Sequence, residues 1–214
     1  MGIETNFGNY LGKMDIVSSL ATLSYDKRRT EFFTSELITL LILFDNGIIN
    51  PNNYLGSWAG AFGNFQFMPS TIKNYAIDYN KDKTINLKNI EDSFASAANY
   101  LNKIGWDNSA PCFFKVELIN ETPHKYLNTS AKKINHKNKI SYLKKYIKNS
   151  KILNDLDNLK AALVTPDYDI IPDANQLTPA YLVFDNYELI LKWNRSLRFA
   201  LAVCTLKNKF KNAI

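Results

Sequence analysis

The chain has 214 residues and a mass of 24.5 kDa, a length typical of one domain or of one domain with a modest appendage. Hydrophobic residues make up 46% of the chain and charged residues 21%, a composition that excludes a globally disordered protein. The formal net charge of +6 predicts an anionic partner, whether nucleic acid, a membrane surface or a wall polymer, without choosing among them.

The first half of the chain predicts helices. Apolar residues recur at helical spacing over residues 16–23, 30–46 and 90–104, and a glycine follows each of the last two segments. Pro69 begins a further helix, because proline is well placed in a first turn. The longest apolar stretch, residues 37–44, is interrupted by a threonine and is too short to cross a membrane.

The second half predicts a small sheet and a closing helix. Residues 112–119 are rich in β-branched and aromatic residues and predict a strand, whereas residues 125–160 are rich in Lys and Asn and predict a mobile surface segment with a weak helix at 140–147. Two more strands and the last helix are predicted at residues 180–184, 187–193 and 197–209. This order of elements predicts an α+β domain. With only Cys112 and Cys204 present, we expect no disulfide framework.

Residues 56–70 combine small, aromatic and polar side chains in one short segment. Three of the eight glycines lie there, and closely spaced small residues allow a backbone to approach a ligand or another backbone. Flat apolar rings beside hydrogen-bonding groups suit a sugar, which has apolar faces and polar edges. The alternative is a turn between helices that uses glycine for close packing. The rings and polar groups concerned are Trp58, Phe62, Phe65, Phe67, Ser57, Asn64 and Gln66.

Several segments, in order, resemble the membrane-bound lytic murein transglycosylase B family. Residues 2–8, Gly-Ile-Glu-Thr-Asn-Phe-Gly, resemble its catalytic segment. Residues 56–70, Gly-Ser-Trp-Ala-Gly-Ala-Phe-Gly-Asn-Phe-Gln-Phe-Met-Pro-Ser, resemble its central signature. Shorter matches lie at residues 21–24, 28–33, 75–78, 98–101, 105–106, 186–187 and 193–196. The resemblance is dense over residues 1–107 and looser over residues 180–210.

The resemblance implies a lysozyme-like α+β fold, mainly helical, with a small antiparallel sheet in the C-terminal half. We expect residues 1–110 to form the helical catalytic core. Residues 111–214 would add the sheet, the Lys/Asn-rich insertion and the closing helix to the same catalytic domain. Family members carry a substantial upstream portion with an export signal, and this chain opens without a signal peptide, so we expect it to be truncated at its N-terminus. The implied location is the periplasm or cell envelope of a bacterium, and we expect a monomer.

The implied reaction is cleavage of the β-1,4 bond between N-acetylmuramic acid and N-acetylglucosamine in peptidoglycan, with a 1,6-anhydro product. Glu4 matches the single acid that then acts as base, and such a residue needs a partly dehydrated, apolar pocket to stay protonated. Two rivals remain open, namely a lysozyme-type hydrolase and a truncated, catalytically impaired fragment that binds peptidoglycan. A nucleic-acid-binding module is disfavoured, because the Lys-rich part forms no stripe along one element.

The resemblance also implies the residues that contact the glycan strand. Ser57 and Gln66 match positions near the acid, and Asn194 matches one that hydrogen-bonds the acetamido group or orients the acid. The remaining positions are aromatic or basic: Tyr100 and Trp193 on sugar rings, Phe62 with Phe7 and Trp58 as pocket walls, and Arg28 and Arg29 facing the peptide or lactyl carboxylate of the glycan.

Residues 78–89 have the spacing of an EF-hand calcium loop, and in some family members the corresponding loop binds calcium. The residues at its ligand positions are Asp78, Asn80, Asp82, Thr84, Asn86 and Asn89. Lys83 stands where glycine is usual and Asn89 where a carboxylate is usual, so a weak calcium loop competes with an ordinary polar loop. The implied reaction requires no cofactor. His124 and His136 lack the neighbours of a zinc site.

Overall fold

The structure, a computed structural model, describes residues 1–52, 54–168, 171–172 and 175–213, with side chains through residue 210. Contacts divide the chain into two units, Met1–Gly105 and Trp106–Ile214.

In its described residues, the first unit contains five helices and a two-stranded antiparallel ribbon. The helices are α1 (Gly2–Thr5), α2 (Ile16–Tyr25), α3 (Thr30–Asp45), α4 (Pro69–Tyr75) and α5 (Ile90–Lys103). The strands are β1 (Met14–Asp15) and β2 (Leu55–Gly56), with Met14 opposite Gly56. The predicted helices over residues 16–23, 30–46, 69 onward and 90–104 are confirmed, whereas α1 and the ribbon had no periodic signal to predict them.

Local signals in the sequence explain where these helices begin. The Asp15 carboxylate accepts a hydrogen bond from the Ser18 N–H at 2.7 Å, and the Asn89 side chain caps α5 in the same way through the Glu91 N–H at 2.7 Å. Pro69 occupies the first turn of α4. Packing of α2 on α3, α3 on α4 and α4 on α5 buries the core of this unit, in which Leu20 and Leu40 have no exposed surface.

The buried carboxylate of Glu36 joins α3 to the N-terminus of α4. It accepts hydrogen bonds from the backbone N–H of Ser70 at 2.8 Å and from the Ser70 hydroxyl at 2.6 Å. The first amides of a helix have no partner within the helix, so an acceptor from a neighbouring helix satisfies one of them. Glu36 is only 4% exposed, and the contact fixes the position of α4 after the Gly-rich segment.

We expect Glu36→Ala to lower the free energy of unfolding by roughly 2–4 kcal/mol, because it leaves a buried amide without its acceptor and opens a cavity. Urea unfolding followed by circular dichroism measures the loss. Asp45→Ala removes an exposed carboxylate from the same helix and is expected to change stability by less than about 0.5 kcal/mol. Equal effects of the two substitutions would contradict the role assigned to Glu36.

The second unit contains a mixed sheet and helices. Its strands are β3 (Phe113–Val116), β4 (Leu127–Asn128), β5 (Asn138–Lys139), β6 (Lys160–Val164) and β7 (Ala180–Val183). Its α-helices are α6 (Ile140–Leu143), α7 (Asp185–Trp193) and α8 (Leu197–Ala213). Short 3-10 turns span His124–Tyr126, Lys144–Tyr146 and Ser150–Leu153.

The sheet has the strand order β3-β7-β6-β4, and β5 pairs with β6 as well. The β3–β7, β6–β7 and β5–β6 pairs are antiparallel, which is the arrangement expected of the sheet as a whole, whereas β4 runs parallel to β6. Strands β4, β5 and β6 themselves were not predicted. Leu182 on β7 lies opposite both Phe114 on β3 and Leu163 on β6, so its strand is central to the sheet.

The predicted strand at residues 187–193 is wrong, because this segment forms α7. Tyr, Ile and Leu favour strands, and their density suggested one. Tyr187, Ile190 and Leu191 are nevertheless buried at helical spacing, and Asp185 and Glu188 place acidic residues in the first turn of the helix. The Tyr187 hydroxyl donates a hydrogen bond to the carbonyl of Leu197 at 2.7 Å and joins α7 to α8.

The interpretation of residues 125–160 as a mobile surface segment is also wrong. Apolar residues of this segment are fully or almost fully buried and form one cluster with the sheet. They are Ile140, Leu143, Ile147 and Leu153. Lysines between them obscured the apolar pattern, because their charged ends remain at the surface while neighbouring side chains enter the core. The segment therefore builds the core of the second unit.

Cys112 and Cys204 form a disulfide, with their Cα atoms 5.8 Å apart, so the expectation of a fold without a disulfide is wrong. Both residues are buried, and the bond ties the start of β3 to α8. Within the described part of the chain, no helix is both long enough and apolar enough to cross a membrane.

Candidate active site

Glu4 lies half-buried on α1, and the following residue anchors it. Thr5 is 1% exposed, and its hydroxyl donates a hydrogen bond to the carbonyl of Asn64 at 3.0 Å. This contact joins segments 59 residues apart and holds Glu4 beside the Gly-rich segment. Both pieces of the catalytic resemblance, residues 2–8 and 56–70, are thereby brought together within the first unit.

Asn64 connects the Gly-rich segment to the beginning of α5. Its side-chain N–H groups donate to the carbonyl of Lys88 and to the hydroxyl of Ser93, each at 3.1 Å. Its backbone N–H donates to the carbonyl of Leu87 at 2.9 Å. Asn64 is only 3% exposed, so its side chain serves as a buried hydrogen-bonding link between the two segments and not as a sugar contact.

Glycine is required where the loop after α1 crosses β2. A Cβ atom on Gly12, whose φ is +89°, would lie 2.0 Å from the carbonyl oxygen of Gly56, a distance that no side chain tolerates. Gln66 fastens the same loop, because its side-chain N–H donates to the carbonyls of Leu11 at 3.4 Å and Gly63 at 2.9 Å. The predicted contact residue Gln66 therefore has a structural role, and its role toward a sugar stays a prediction.

Ser57 closes the turn that follows β2. Its hydroxyl oxygen accepts the N–H of Ala61 at 2.9 Å, and its own N–H donates to the carbonyl of Ala61 at 2.9 Å. Because the hydroxyl is used as an acceptor, its proton can be donated to a ligand. This arrangement is compatible with the predicted substrate contact of Ser57.

Aromatic residues near these segments divide into exposed and buried rings. Phe7 and Trp58 are 72% and 68% exposed, so their faces are accessible to a ligand. Phe62 is 3% exposed and stacks on Tyr54 at a centroid distance of 3.8 Å. Tyr100 is 8% exposed, and burial raises the pKa of its phenol. Phe62 and Tyr100 thus pack as core side chains, and their predicted contacts with substrate remain predictions.

The backbone immediately after Glu4 adopts an uncommon conformation. Asn6 and Phe7 have φ values of +48° and +58°, in the left-handed region that favours glycine. Each such residue costs on the order of 1 kcal/mol, which the surrounding structure must offset. Asn6 is the C-cap residue at which α1 ends.

The two neighbouring arginines make different contacts. The Arg28 guanidinium pairs with the Asp26 carboxylate at 2.7 Å, and this pairing lowers the pKa of the Asp26 carboxyl. Arg29 lies over the ring of Phe32, 4.2 Å from its centroid. Neither contact tests the prediction that this pair faces a carboxylate of the glycan.

Trp193 and Asn194 lie in the second unit, at the end of α7. The Asn194 N–H donates to the carbonyl of Ile190 at 3.0 Å, and the Asn194 carbonyl accepts the N–H of Ser196 at 2.8 Å. This capping geometry fixes the backbone and leaves the role predicted for the Asn194 side chain untested.

The loop at residues 78–89 is closed by its own hydrogen bonds. The Asp78 carboxylate accepts the N–H groups of Asp82 at 3.2 Å and Lys83 at 2.8 Å. Hydrogen bonds from Thr84 lower the pKa of the Asp82 carboxyl, and the Asn89 side chain is committed to the cap of α5.

Asp92 completes the loop in a way that sequence reasoning missed. It has no exposed surface, and its carboxylate accepts the N–H groups of Tyr79 and Asn86, each at 2.9 Å. Among the residues that the structure describes, no group of three acidic, His or Cys side chains is arranged to hold a metal ion. With Asn89 used as a helix cap and Asp92 bound to amides, the residues present do not fit a complete calcium site.

Residues 1–208 match the family model described as the transglycosylase SLT domain. The chain belongs to this family. The family resemblance and the lysozyme-like α+β fold class predicted from the sequence are thereby confirmed. Thr5 and Asp92 hold the site but had no role assigned from the sequence, and the one signal for them was their position inside or beside the recognised segments. Asn64 was expected to offer hydrogen bonds to a sugar, and its side chain is instead bonded to Lys88 and Ser93.

This transglycosylase domain is similar to the membrane-bound lytic murein transglycosylase B of Escherichia coli K12. The two are 45% identical over 107 residues, or 50% of this chain and 30% of that protein. SltB3 from Pseudomonas aeruginosa, solved in complex with NAG-NAM-pentapeptide, is similar with a TM-score of 0.83 and 31% identity, over 98% of this chain and 54% of that one. Lytic transglycosylase Slt35 of Escherichia coli, in complex with calcium, has a TM-score of 0.78 and 31% identity, over 99% of this chain and 64% of that one. The chain thus spans about half the length of SltB3.

Proposed function

We propose that this chain is a peptidoglycan lytic transglycosylase. It cleaves the β-1,4 bond between N-acetylmuramic acid and N-acetylglucosamine and forms a 1,6-anhydro-N-acetylmuramic acid end. The observation that carries the proposal is the anchoring of Glu4 to the Gly-rich segment through the hydrogen bond from Thr5 to Asn64. Membership in the transglycosylase SLT domain family supports the same activity.

The reaction needs one carboxyl group used twice. Protonated Glu4 donates its proton to the glycosidic oxygen as the bond from the anomeric carbon to that oxygen breaks. The 2-acetamido group of the substrate stabilises the anomeric carbon. Glu4, now a carboxylate, takes the proton of the C6 hydroxyl as O6 bonds to the anomeric carbon. Water is not consumed, so the second carboxylate of an ordinary glycosidase is not needed.

The surroundings of Glu4 support this use of its carboxyl group. The exposed rings of Phe7 and Trp58 offer apolar faces for sugar rings, and the Ser57 hydroxyl has a proton to donate. The other contacts that we propose for the glycan strand are those of Gln66, Asn194, Trp193, Arg28 and Arg29. We propose that Tyr100 and Phe62 contact it only through the small part of each ring that remains exposed. No step involves calcium, because the loop at residues 78–89 does not complete a calcium site.

The mass of the released muropeptides tests the proposal. Isolated peptidoglycan incubated with the purified chain is expected to release fragments that end in the anhydro sugar, one water lighter than the products of hydrolysis. Reducing ends in place of anhydro ends would identify the lysozyme-type hydrolase. A well-folded sample that sediments with peptidoglycan but releases nothing would support the catalytically impaired binding fragment.

We further propose that the protein works in the periplasm or cell envelope. The disulfide between Cys112 and Cys204 supports this location, because disulfides persist in oxidising compartments and are rare in the cytosol. Alkylation of free thiols in freshly lysed cells tests it. Protection of both cysteines is expected, and full alkylation of both would contradict an oxidising compartment.

A further inference from the structure

A basic pocket lies in the second unit, between the end of α7 and the loop that precedes β5. Its volume is about 360 Å³. Four cationic side chains line it, two from each wall: Lys132, Lys133, Lys192 and Arg195. Within the part of the chain that the structure describes, none of the four forms an ion pair with a carboxylate. Their charges are therefore available to a ligand.

Among the described residues that line the pocket, the acidic side chain is Glu188, and it shares a lysine with a second carboxylate. Glu188 lies 2.5 Å from the Nζ atom of Lys137, which also pairs with Asp185 at 2.6 Å. Hydrogen bonds and the attraction of these two carboxylates outweigh desolvation and raise the pKa of Lys137, which keeps it charged. Because Lys137 offsets only one of these two carboxylates, the group of three retains a single negative charge, and the four lining cations still leave the pocket with a positive field.

The floor of the pocket is apolar. Ile134 and Leu191 are 8% and 7% exposed, and Ala131 lies beside them. A compact inorganic anion would use the cations and would leave this floor in contact with water. A short peptide that carries both carboxylates and methyl groups would use the cations and the floor together. The combination therefore favours an acidic peptide over a phosphate group.

The position in the chain connects this pocket to the glycan. Lys192 and Arg195 directly flank Trp193 and Asn194, the two residues of α7 and its cap that are proposed to contact a sugar. Peptidoglycan carries acidic peptides on its muramic acid residues, so such a peptide is held close to a bound sugar.

We propose that the basic pocket binds the free carboxylates of the peptide attached to the glycan strand, and so favours peptide-bearing over peptide-free strands. The inference rests on the proposed function for the identity of the ligand. Binding does not depend on catalysis, since the pocket contains no part of the proposed acid.

Calorimetric titration of the full chain with the free pentapeptide tests the pocket separately from activity. We expect the double charge reversal Lys132→Glu with Lys192→Glu to weaken binding at least tenfold. The matched reversal Lys148→Glu with Lys151→Glu changes two exposed lysines elsewhere in the second unit and is expected to change affinity less than twofold. Esterification of the peptide carboxylates is expected to weaken binding to the same extent as the first reversal.

A second measurement covers a variant that fails to fold. In the unaltered chain, addition of the peptide is expected to shift the methyl NMR signals of Ile134 and Leu191. Unshifted methyl signals, equal binding of the esterified peptide, or displacement of the peptide by equimolar inorganic phosphate would each overturn the proposal. If the chain binds the peptide but releases no anhydro product from any glycan, the proposed function fails and the pocket stands. If it cleaves peptide-free and peptide-bearing strands at equal rates, the preference fails and the function stands.

Discussion

Glu4→Gln is expected to abolish the release of anhydro muropeptides, with a loss of roughly a thousandfold or more, while the protein remains folded. The amide has almost the same shape as the carboxyl group, but it can neither donate a proton to the leaving oxygen nor accept one from the C6 hydroxyl. General acid–base catalysis contributes about 10²–10⁴-fold at each proton transfer, and both transfers of the proposed reaction use this one group. The measurement is the initial rate of soluble muropeptide release, resolved by mass.

The matched control is Glu31→Gln, which alters an exposed glutamate in the first turn of α3. Its rate is expected to stay within about twofold of the unaltered chain, since exposed substitutions away from specific contacts have small effects. Thermal unfolding of both variants should agree with that of the unaltered chain. Retention of more than about one tenth of the rate by Glu4→Gln would assign the proton transfers to another residue.

Reduction of the bond between Cys112 and Cys204 is expected to destabilise the second unit by about 4–5 kcal/mol. The bond closes a loop with a sequence separation of 92 residues. In the chain-entropy view, loss of a cross-link over that length raises the conformational entropy of the unfolded chain and thereby lowers the free energy of the unfolded state by about this much. Hydrogen exchange of the β6 and β7 amides, compared with and without reductant, measures the effect within the second unit.

Two comparisons make this test specific. A Cys112→Ser, Cys204→Ser double variant should exchange as fast as the reduced chain and should no longer respond to reductant. Amides of α2 and α3 in the first unit report any general effect of the reductant. Unchanged protection of β6 and β7 after complete reduction would show that the cross-link adds nothing to the stability of the sheet.

The helices of the first unit could be predicted because their signals are local. Pro69 at a first turn, and glycines at positions 47 and 105 with φ values of +64° and +100°, mark helix ends through the conformations they allow. The secondary structure of the second unit was harder to predict, because the type of each element there depends on the side chains that pack against it. Tyr187–Leu191 consists of residues that suit a strand or a helix, and packing on α8 decides for the helix.

The site could be predicted only as a set of segments. The Gly-rich residues 56–70 and Glu4 can be recognised in the sequence, but the hydrogen bonds that hold these segments together cannot. The hydrogen bonds from Thr5 to Asn64 and from Gln66 to Leu11 pair residues that are distant in the chain, and no local pattern specifies such a pair. Burial likewise separates the accessible rings of Phe7 and Trp58 from the core ring of Phe62, although all three have similar neighbours in sequence.

The hydrogen bonds of Asn64 make the position of Glu4 depend on α5 and on the loop that precedes it. Thr5 donates a hydrogen bond to Asn64, and Asn64 donates one to Ser93 in the first turn of α5. Asp92, next to Ser93, accepts hydrogen bonds from the backbone of the loop at residues 78–89. Displacement of that loop would therefore disturb the position of Glu4 as well as the packing of α5.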